Sequence, residues 1–315
     1  MRRSSNGSKT AADNRAADSK RSGAAGKPEE SGKSKELAPG LYITATPIGH
    51  AQDISLRALW VLAQADLIAA EDTRVTAKLL QIHGLSKPLT PYNDHNAVRE
   101  RPRLIEKLKG GARIALVSDA GTPLVSDPGY KLVREVLQAG LPVHAVPGAS
   151  AVLTGLTLSG LPSDRFLFAG FLSAKAGERD TSLEELKGLR ATLIFFESGP
   201  RLAGSLAAMA RILGPRPAAV ARELTKLHEE VRRAPLNELA AQYAAAPPKG
   251  EVTLLVAPPL EAEIDWGVID RALDAALPFM PVKAAAEMIA GLTGASRKTV
   301  YDRALDRKNG EKKNG

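Results

Sequence analysis

Short apolar runs alternate with longer segments of helical periodicity from Leu41 onward, and this alternation constrains the fold most strongly. The apolar runs have the length of buried strands, and the periodic segments have the length of helices. Such alternation predicts a parallel sheet that is covered by helices on both faces. The predicted strands are Leu41–Ala45, Leu67–Ala70, Ile114–Ser118 and Val143–Val146, and the predicted helices are Ser55–Ala65, Thr73–His83, Asn96–Lys109 and Gly129–Ala139.

The sequence pattern predicts two α/β domains between terminal segments of different composition. The first 36 residues contain no Leu, Ile, Val, Phe, Tyr or Trp, so residues 1–38 are predicted to form a disordered basic tail. Residues 39–157 are predicted to form the first α/β domain and residues 158–260 the second. Residues 261–308 form a helical extension, and residues 309–315 a Lys-rich tail. The strands predicted in the second domain are Phe166–Ala169, Thr192–Phe196, Ala218–Arg222 and Val252–Ala257.

The helical extension contains two helical patterns joined by a glycine turn. Val282–Leu292 is followed by Thr293–Gly294–Ala295 and then by Ser296–Asp306, which is rich in Arg and Lys. This order is typical of a helix-turn-helix, in which Arg297, Lys298 and Arg303 would contact phosphates. A plain helical hairpin that packs on the body of the protein explains the pattern equally well.

Composition and charge exclude several classes of function. The 315 residues include no cysteine, which rules out a disulfide framework and a thiolate zinc site. The five histidines lack metal-ligand spacing, so no metal site is expected. No apolar run approaches the roughly 18 residues that cross a bilayer, and no secretory signal is evident, so we expect a cytoplasmic protein without membrane contact. The net charge of +8 lies at the two ends: residues 1–36 hold nine Lys and Arg against five acids, and residues 297–315 seven against three.

The segment Ser118–Gly129 is the richest candidate binding loop. It joins a predicted strand to a predicted helix, at the edge of the sheet where open α/β folds bind ligands. Gly121 permits close backbone approach, Thr122 and Ser126 offer hydroxyls, and the following helix offers free N–H groups. A carboxylate or a ribose would suit this loop, although a simple βα turn uses the same residue types.

Three further turns carry small or polar residues at strand ends. Val146–Ala151 would let a flat ligand lie on the backbone, or would serve only for close packing between helix and strand. In the second domain, Glu197 follows a strand and could accept a hydrogen bond from a ribose or an amine, with Arg201 as a structural partner. Gly250, before the last strand, indicates close approach of a ligand or of another backbone segment.

Acidic residues and a histidine follow other strands of the first domain. Glu71, Asp72 and Arg74 come directly after the strand Leu67–Ala70, which suits either a binding site or a capped helix start. His95 lies in a polar loop and could accept a proton near neutral pH, although a solvated loop histidine is the commoner case.

Taken together, these motifs resemble the tetrapyrrole-methylase superfamily of S-adenosylmethionine enzymes. Within it, the chain is most similar to the bacterial 16S ribosomal RNA (cytidine 2′-O)-methyltransferases. The first strand lacks the Gly-x-Gly-x-x-Gly fingerprint of Rossmann enzymes, which this superfamily does not use. The similarity runs from about Leu41 to Lys308 and is carried, in the family's order, by Leu41–Gly49, Asp53–Ala58, Ala69–Arg74, Asn93–Asn96, Ser118–Gly129, Val146–Ala151, Phe196–Arg201 and Lys249–Val252.

The resemblance implies a two-domain α/β enzyme, usually a homodimer, with S-adenosylmethionine folded into the cleft between its domains. Two positions depart from the family's pattern: His50 stands where relatives commonly have Asn, and Gly199–Pro200 replaces a usual Pro-His pair. The implied cofactor-binding residues are Pro47, Ile48, Asp119, Gly121, Thr122, Ala149 and Ser150, with Glu197, Gly250 and Glu251 as weaker contacts.

The implied reaction is attack of a ribose 2′-oxygen on the sulfonium methyl group, with 16S rRNA or the small ribosomal subunit as the partner. A base must take the hydroxyl proton, and Glu71, Asp72 and His95 are the candidates. Arg74 would hold a phosphate or polarise the ribose. Since only 4% of residues are aromatic, RNA contacts through phosphates and 2′-hydroxyls are expected rather than base stacking.

Two other functions remain compatible with the sequence. One is methylation of a tetrapyrrole (corrinoid precursor) by the same fold, and the other is non-catalytic nucleic-acid binding through the C-terminal helices. The basic helical extension is unnecessary for a small tetrapyrrole. The acidic pair Glu71–Asp72 and three ligand-type loops are unnecessary for binding alone. Both points favour the ribosomal RNA methyltransferase.

Overall fold

The computed structural model describes residues 36–259 and 265–311, and the first sheet occupies the N-terminal part of this range. The predicted tails and the start of the predicted extension lie largely outside the described residues. Strands and helices alternate as the apolar pattern predicts. The strands are β1 (Gly40–Thr44), β2 (Leu67–Ala70), β3 (Leu89–Pro91), β4 (Arg113–Val117) and β5 (Val143–Val146), and the helices are α1 (Leu56–Gln64), α2 (Thr73–Ile82), α3 (Ala97–Lys109), α4 (Tyr130–Gln138) and α5 (Ala151–Ser159).

The first sheet is entirely parallel, with the strand order β3-β2-β4-β1-β5. Leu41 on β1 pairs with Ile114 on β4, and both side chains are fully buried. Strands buried on both faces need apolar side chains at successive positions, which explains why they appear in the sequence as continuous apolar runs. Because all five strands run the same way, their carboxyl ends share one edge, and the predicted α/β class is confirmed.

Side-chain caps fix where two of the helices in the first part begin. The Ser55 hydroxyl accepts the Ala58 N–H at 3.0 Å and starts α1. The Asp72 carboxylate accepts the Arg74 N–H at 2.8 Å and starts α2. Each cap satisfies one of the free N–H groups of a helix N-terminus. At the end of α5, Gly160 adopts a left-handed conformation with φ of 73° and terminates the helix.

The second sheet is mixed and lies later in the chain. Its strands are β6 (Phe166–Phe171), β7 (Thr192–Ser198), β8 (Pro217–Arg222), β9 (Glu230–Pro235) and β10 (Glu251–Val256). Their order is β6-β7-β10-β8-β9, with β6 and β7 parallel and the other pairs antiparallel. The edge strand β9 falls outside the sequence prediction, because the run Glu-Val-Arg-Arg-Ala-Pro shows no apolar segment. The helices of this part are α6 (Ala176–Leu186), α7 (Gly199–Leu213) and α8 (Leu236–Ala245).

Helix α5 connects the two sheets and packs on the second. Val152 and Leu156 of this helix join a buried cluster with Ile194 and Leu255 of the second sheet and with Ile48 of the first βα turn. Gly155 allows the close approach, because a Cβ there would lie 2.9 Å from a Thr253 side-chain carbon. The cluster therefore holds the turn after β1 against the second sheet. The predicted domain boundary at residues 157–158 falls inside α5 and stays a prediction.

Three helices form the C-terminal extension: α9 (Trp266–Ala276), α10 (Val282–Thr293) and α11 (Arg297–Glu311). They enclose a core of their own, which includes Ile269, Leu273, Ile289 and Val300. Gly294, with φ of 71°, ends α10. No helix within the described ranges combines the length and apolar character that crossing a membrane requires.

Gly199, at the start of α7, lies close against the backbone of Pro248. A Cβ at this position would collide with the carbonyl oxygen of Pro248, whereas a Cβ at Gly204 in the same helix meets nothing within 4 Å. We expect Gly199→Ala to lower the free energy of unfolding by about 1–3 kcal/mol through overpacking. Gly204→Ala should raise it by about 0.5–1 kcal/mol, because alanine is the better helix former. Urea unfolding measures the free energy of unfolding of both variants. Equal effects of the two substitutions would show that the Pro248 carbonyl does not constrain position 199.

Candidate active site

A cavity opens at the carboxyl edge of the first sheet and is closed from the other side by the second sheet. Its volume is about 280 Å³, at the lower end of the range for small-molecule sites. It combines apolar and polar walls, as ligand pockets do. The structure brings eight of the predicted site residues into its wall: Ile48, Glu71, Asp119, Gly121, Thr122, Ser150, Glu197 and Glu251.

The turns after β1, β4 and β5 are joined by hydrogen bonds beneath the cavity. Thr46 and Gly121 exchange two backbone hydrogen bonds, of 2.8 and 3.1 Å. The Thr122 hydroxyl donates to the Ala149 carbonyl oxygen at 3.3 Å. Gly121 has φ of 81°, and a Cβ there would lie 3.3 Å from an Ile48 methyl carbon. Ala149 therefore supports the loop through its backbone, and glycine suits position 121 both conformationally and sterically.

Two predicted carboxylates link the ends of neighbouring strands. Glu71, after β2, accepts the Asp119 N–H at 3.2 Å, and Asp119, after β4, accepts the Asp72 N–H at 3.0 Å. Burial raises the pKa of Glu71, and the nearby charges of Asp119 and Asp94 raise it further against the opposing backbone hydrogen bond. Burial also raises the pKa of Asp119. Both groups line the cavity, where a raised pKa favours proton transfer near neutral pH.

Asp127 is a cavity residue that the sequence reasoning did not single out. It lies before α4, and its side chain is half-buried in the cavity wall. Burial raises its pKa to about 6, and the charges of Glu71 and Asp119 act in the same direction against a hydrogen bond from Ser118. The preceding residues Leu124 and Ser126 have φ of 76° and 64°, which is uncommon outside glycine and tends to occur at functional sites.

Comparison with known proteins identifies the fold family. The model of the tetrapyrrole (corrin/porphyrin) methylases matches residues 40–240. The chain belongs to the tetrapyrrole methylase family. A second model, described as the RsmI C-terminal HTH domain, matches residues 263–308. The predicted family and its cofactor, S-adenosylmethionine, are thereby confirmed, and the C-terminal extension is shared with a named group of proteins.

Relatives within the methylase family cover nearly the whole chain. A protein of Mesorhizobium japonicum named ribosomal RNA small subunit methyltransferase I is 52% identical over 278 residues, which cover 87% of this chain and 94% of that protein. A protein of Pseudomonas aeruginosa with the same name is 44% identical over 274 residues, covering 85% and 97%. The predicted class of enzyme, a methyltransferase, is confirmed.

Solved structures of other methylases share the fold at low identity. Uroporphyrin-III-C-methyltransferase from Thermus thermophilus has a TM-score of 0.52 and 23% identity, covering 70% of this chain and 94% of that one. A diphthine synthase has a TM-score of 0.53 and 18% identity, covering 69% and 89%. These structures show that the fold is shared with other methylases.

Three residues proposed from sequence for catalysis do not line the cavity. Asp72 caps α2 and binds Arg74 through both oxygens, with the shortest distance 2.6 Å. The hydrogen bonds from Arg74 lower the pKa of Asp72 to about 2. His95 is exposed in the loop before α3. None of the three lines the cavity wall, so Glu71 is the one predicted base that the structure places there.

The remaining residues predicted to bind the cofactor differ in how they relate to the cavity. Both Glu197 oxygens are bonded within the chain: one accepts the Ser205 hydroxyl at 2.6 Å, and the other accepts the Ser198 N–H at 2.9 Å. Gly250 lies behind the wall against Glu223, with φ of 93°. Pro47, in the turn after β1, lines an adjoining cavity. This second cavity shares the wall residues Ile48, Asp119 and Glu251 with the first cavity. Glu197 therefore supports the wall rather than presenting free acceptors.

Arginines of the C-terminal extension are largely engaged within it. Arg303 binds Asp270 at 2.6 Å and stacks over the Trp266 ring at 5.0 Å. Arg297 binds Glu287 at 2.7 Å. To contact phosphates as predicted, Arg297 and Arg303 would have to exchange the carboxylates of Glu287 and Asp270 for phosphate oxygens. In this structure the two arginines stabilise the packing of the three helices.

Proposed function

We propose that this protein methylates the 2′-oxygen of a cytidine ribose in the decoding region of 16S ribosomal RNA. The observation that carries the proposal is 52% identity over 278 residues to a ribosomal RNA small subunit methyltransferase I. The match of residues 263–308 to the C-terminal domain of that group supports the same substrate class. The tetrapyrrole substrate and the non-catalytic alternative lack a comparable observation.

The cavity fits S-adenosylmethionine chemically. Gly121 and its neighbours Ala120, Ser150 and Ala221 leave the backbone accessible to a flat ring, and the cavity offers carboxylate and carbonyl acceptors to the ribose hydroxyls and the amino group. In this proposal Ile48, Asp119, Gly121, Thr122, Ala149 and Ser150 hold the cofactor from the first sheet. Glu251 adds a carboxylate to the site, Glu197 and Gly250 support its wall from the second sheet, and Pro47 borders it from the adjoining cavity. The cofactor supplies a methyl group that is already activated by the sulfonium charge.

The chain's own task is to align the ribose and to remove a proton. The cavity walls position the 2′-hydroxyl and exclude water from it. Asp127 takes the hydroxyl proton as the oxygen attacks, because its pKa of about 6 leaves it ionised at neutral pH yet still basic. Glu71 and Asp119 lie in the same wall and raise the proton affinity of Asp127 through their charges. Asp72 is too weak a base for this role.

The substrate assignment is tested by mass spectrometry of 16S rRNA from cells with and without the gene. We expect one cytidine of the decoding region to lose its 2′-O-methyl group in the deletion strain. Return of the gene should restore the mark, whereas an Asp127→Asn copy should restore little. An identical methylation pattern in both strains would refute the proposed substrate.

The proposal includes a cytoplasmic homodimer, as the family resemblance implies. Light scattering on the purified full chain measures its mass directly. We expect about twice the 33.3 kDa of one chain. A monomeric mass for a protein that binds its cofactor would remove the dimer from the proposal and leave the reaction in place.

A further inference from the structure

Three of the six phenylalanines gather at the end of β6, beside the cavity. The Phe168 and Phe196 ring centroids are 4.7 Å apart, and the Phe171 and Phe196 centroids 5.7 Å, with edge-to-face geometry in both pairs. Phe171 and Phe196 line the cavity. The side chain of Phe171 is 57% exposed, so the contact with Phe196 leaves much of its ring free for another flat group.

A β-bulge directs the Phe171 side chain toward the cavity. Phe168 pairs with Ile194 and Phe171 pairs with Phe196, so β6 has one more residue between these pairs than β7. Gly170, with φ of 68°, provides the conformation that the bulge requires. In a regular strand, residues 168 and 171 would point to opposite faces. The extra residue places them on the same face, which is a known use of bulges beside active sites.

Phe171 and the proposed base Asp127 lie in the wall of the same cavity. A Cβ on Gly170 would be 3.7 Å from the Ser126 hydroxyl oxygen. Ser126 and Gly170 are therefore neighbours across the cleft, and each precedes a residue of the cavity wall: Asp127 on one side and Phe171 on the other. In a nucleotide, the 2′-hydroxyl and the base are attached to adjacent ribose carbons. A ribose at Asp127 can therefore place its base on the Phe171 side of the same cavity.

We propose that Phe171 is the platform on which the target nucleobase stacks while its ribose 2′-oxygen lies at Asp127. This inference rests on the proposed function, because it requires an RNA nucleotide as the substrate. A base must leave its own stack before its ribose can enter a cavity, and stacking on an aromatic ring offsets that cost. An exposed ring beside a cavity lined by carboxylates is suited to this task. Stacking of the nucleobase departs from the expectation, drawn from the low aromatic content, that RNA is contacted through phosphates and 2′-hydroxyls rather than by base stacking.

The test compares Phe171→Leu with Phe171→Tyr, using small ribosomal subunits from the deletion strain as substrate. Leucine keeps apolar bulk but lacks a flat aromatic face, so we expect KM for the subunit to rise about 10- to 100-fold. Tyrosine keeps the face, so we expect a KM within about threefold of the original. Calorimetry with S-adenosylmethionine should give the same Kd for all three proteins.

The matched control is Phe166→Leu, at the other end of the same strand. Phe166 is also exposed, at 43%, and lies outside the cavity wall. This variant should keep the original KM, which separates stacking from a general weakening of β6. An unchanged KM in Phe171→Leu would overturn the inference. A weaker S-adenosylmethionine Kd with unchanged subunit KM would assign the ring to the cofactor, which also overturns it.

These outcomes are distinct from a failure of the proposed function. If the unaltered protein transfers no methyl group to small subunits or to 16S rRNA, the proposed function fails before any variant is compared. If it does transfer methyl groups and Phe171→Leu performs equally well, the reaction stands and the stacking role is wrong. If Phe171→Leu is impaired, the result with Phe171→Tyr shows whether the loss is due to the missing aromatic face.

Discussion

Gly121→Trp should abolish S-adenosylmethionine binding, raising Kd by more than about 100-fold, equivalent to roughly 2.7 kcal/mol. Gly121 lies in the cavity wall, and its backbone is fixed by two hydrogen bonds to Thr46. A Cβ would already lie 3.3 Å from Ile48, and an indole on this wall residue is expected to obstruct the cavity. Isothermal calorimetry measures the change, and circular dichroism confirms that the variant folds.

The matched control for that substitution is Gly111→Trp. Gly111 has φ of 85°, close to the 81° of Gly121, but a Cβ there meets nothing within 4 Å. Both variants carry the same backbone strain, and only one obstructs the cavity. The control should therefore keep the original Kd. Cofactor affinity retained in Gly121→Trp would show that S-adenosylmethionine binds elsewhere.

Asp127→Asn is expected to lower kcat by about 10²- to 10⁴-fold while Kd for S-adenosylmethionine stays within about twofold. The amide has nearly the same shape as the carboxylate but cannot accept the proton. A base works only when deprotonated, so the kcat/KM of the original protein should fall as the pH drops through about 6, the pKa of Asp127. The variant should lose this inflection. Initial rates between pH 5 and 9 measure both effects.

Asp72→Asn is the control for Asp127→Asn. Asp72 caps α2, and asparagine caps helices equally well. Because Arg74 lowers the pKa of Asp72 and binds its carboxylate, we expect activity to change little. The decisive comparison is Glu71→Gln, the other carboxylate with a raised pKa in the wall. If that change alone removes the pH inflection and Asp127→Asn does not, then Glu71 is the base.

Sequence alone predicts four of the five strands of the first sheet, all but the short β3, and the turns that line the cavity, because these depend on local signals. Strands such as Leu67–Ala70 and Ile114–Ser118 are continuous apolar runs, and runs of that kind are typical of buried parallel strands. The ligand-type turns follow those strands directly, and parallel strands place their carboxyl ends at one edge. This geometry explains why Glu71, Asp119 and Ser150 meet although they are distant in the chain.

The rest of the site depends on long-range geometry that no local pattern contains. The raised pKa of Asp127 arises from burial beside Glu71 and Asp119, and nothing in Ser-Asp-Pro-Gly distinguishes it from a helix-start residue. Phe171 belongs to the cavity because of a bulge that is visible only in the pairing of β6 with β7. Arg303 is one of several basic residues in sequence, but in three dimensions it lies against Asp270.

The assembly of the cavity from both sheets has a consequence for degradation. Its wall includes Ile48 and Thr253, and α5 connects the two sheets behind it. A ligand that fills the cavity binds only while both sheets are in place, so it disfavours every partly opened form in which they separate. At a ligand concentration of 100 times Kd, binding stabilises the folded protein against these opened forms by about 2.7 kcal/mol. Proteases that cleave the opened chain should therefore act more slowly when the cofactor is abundant in the cell.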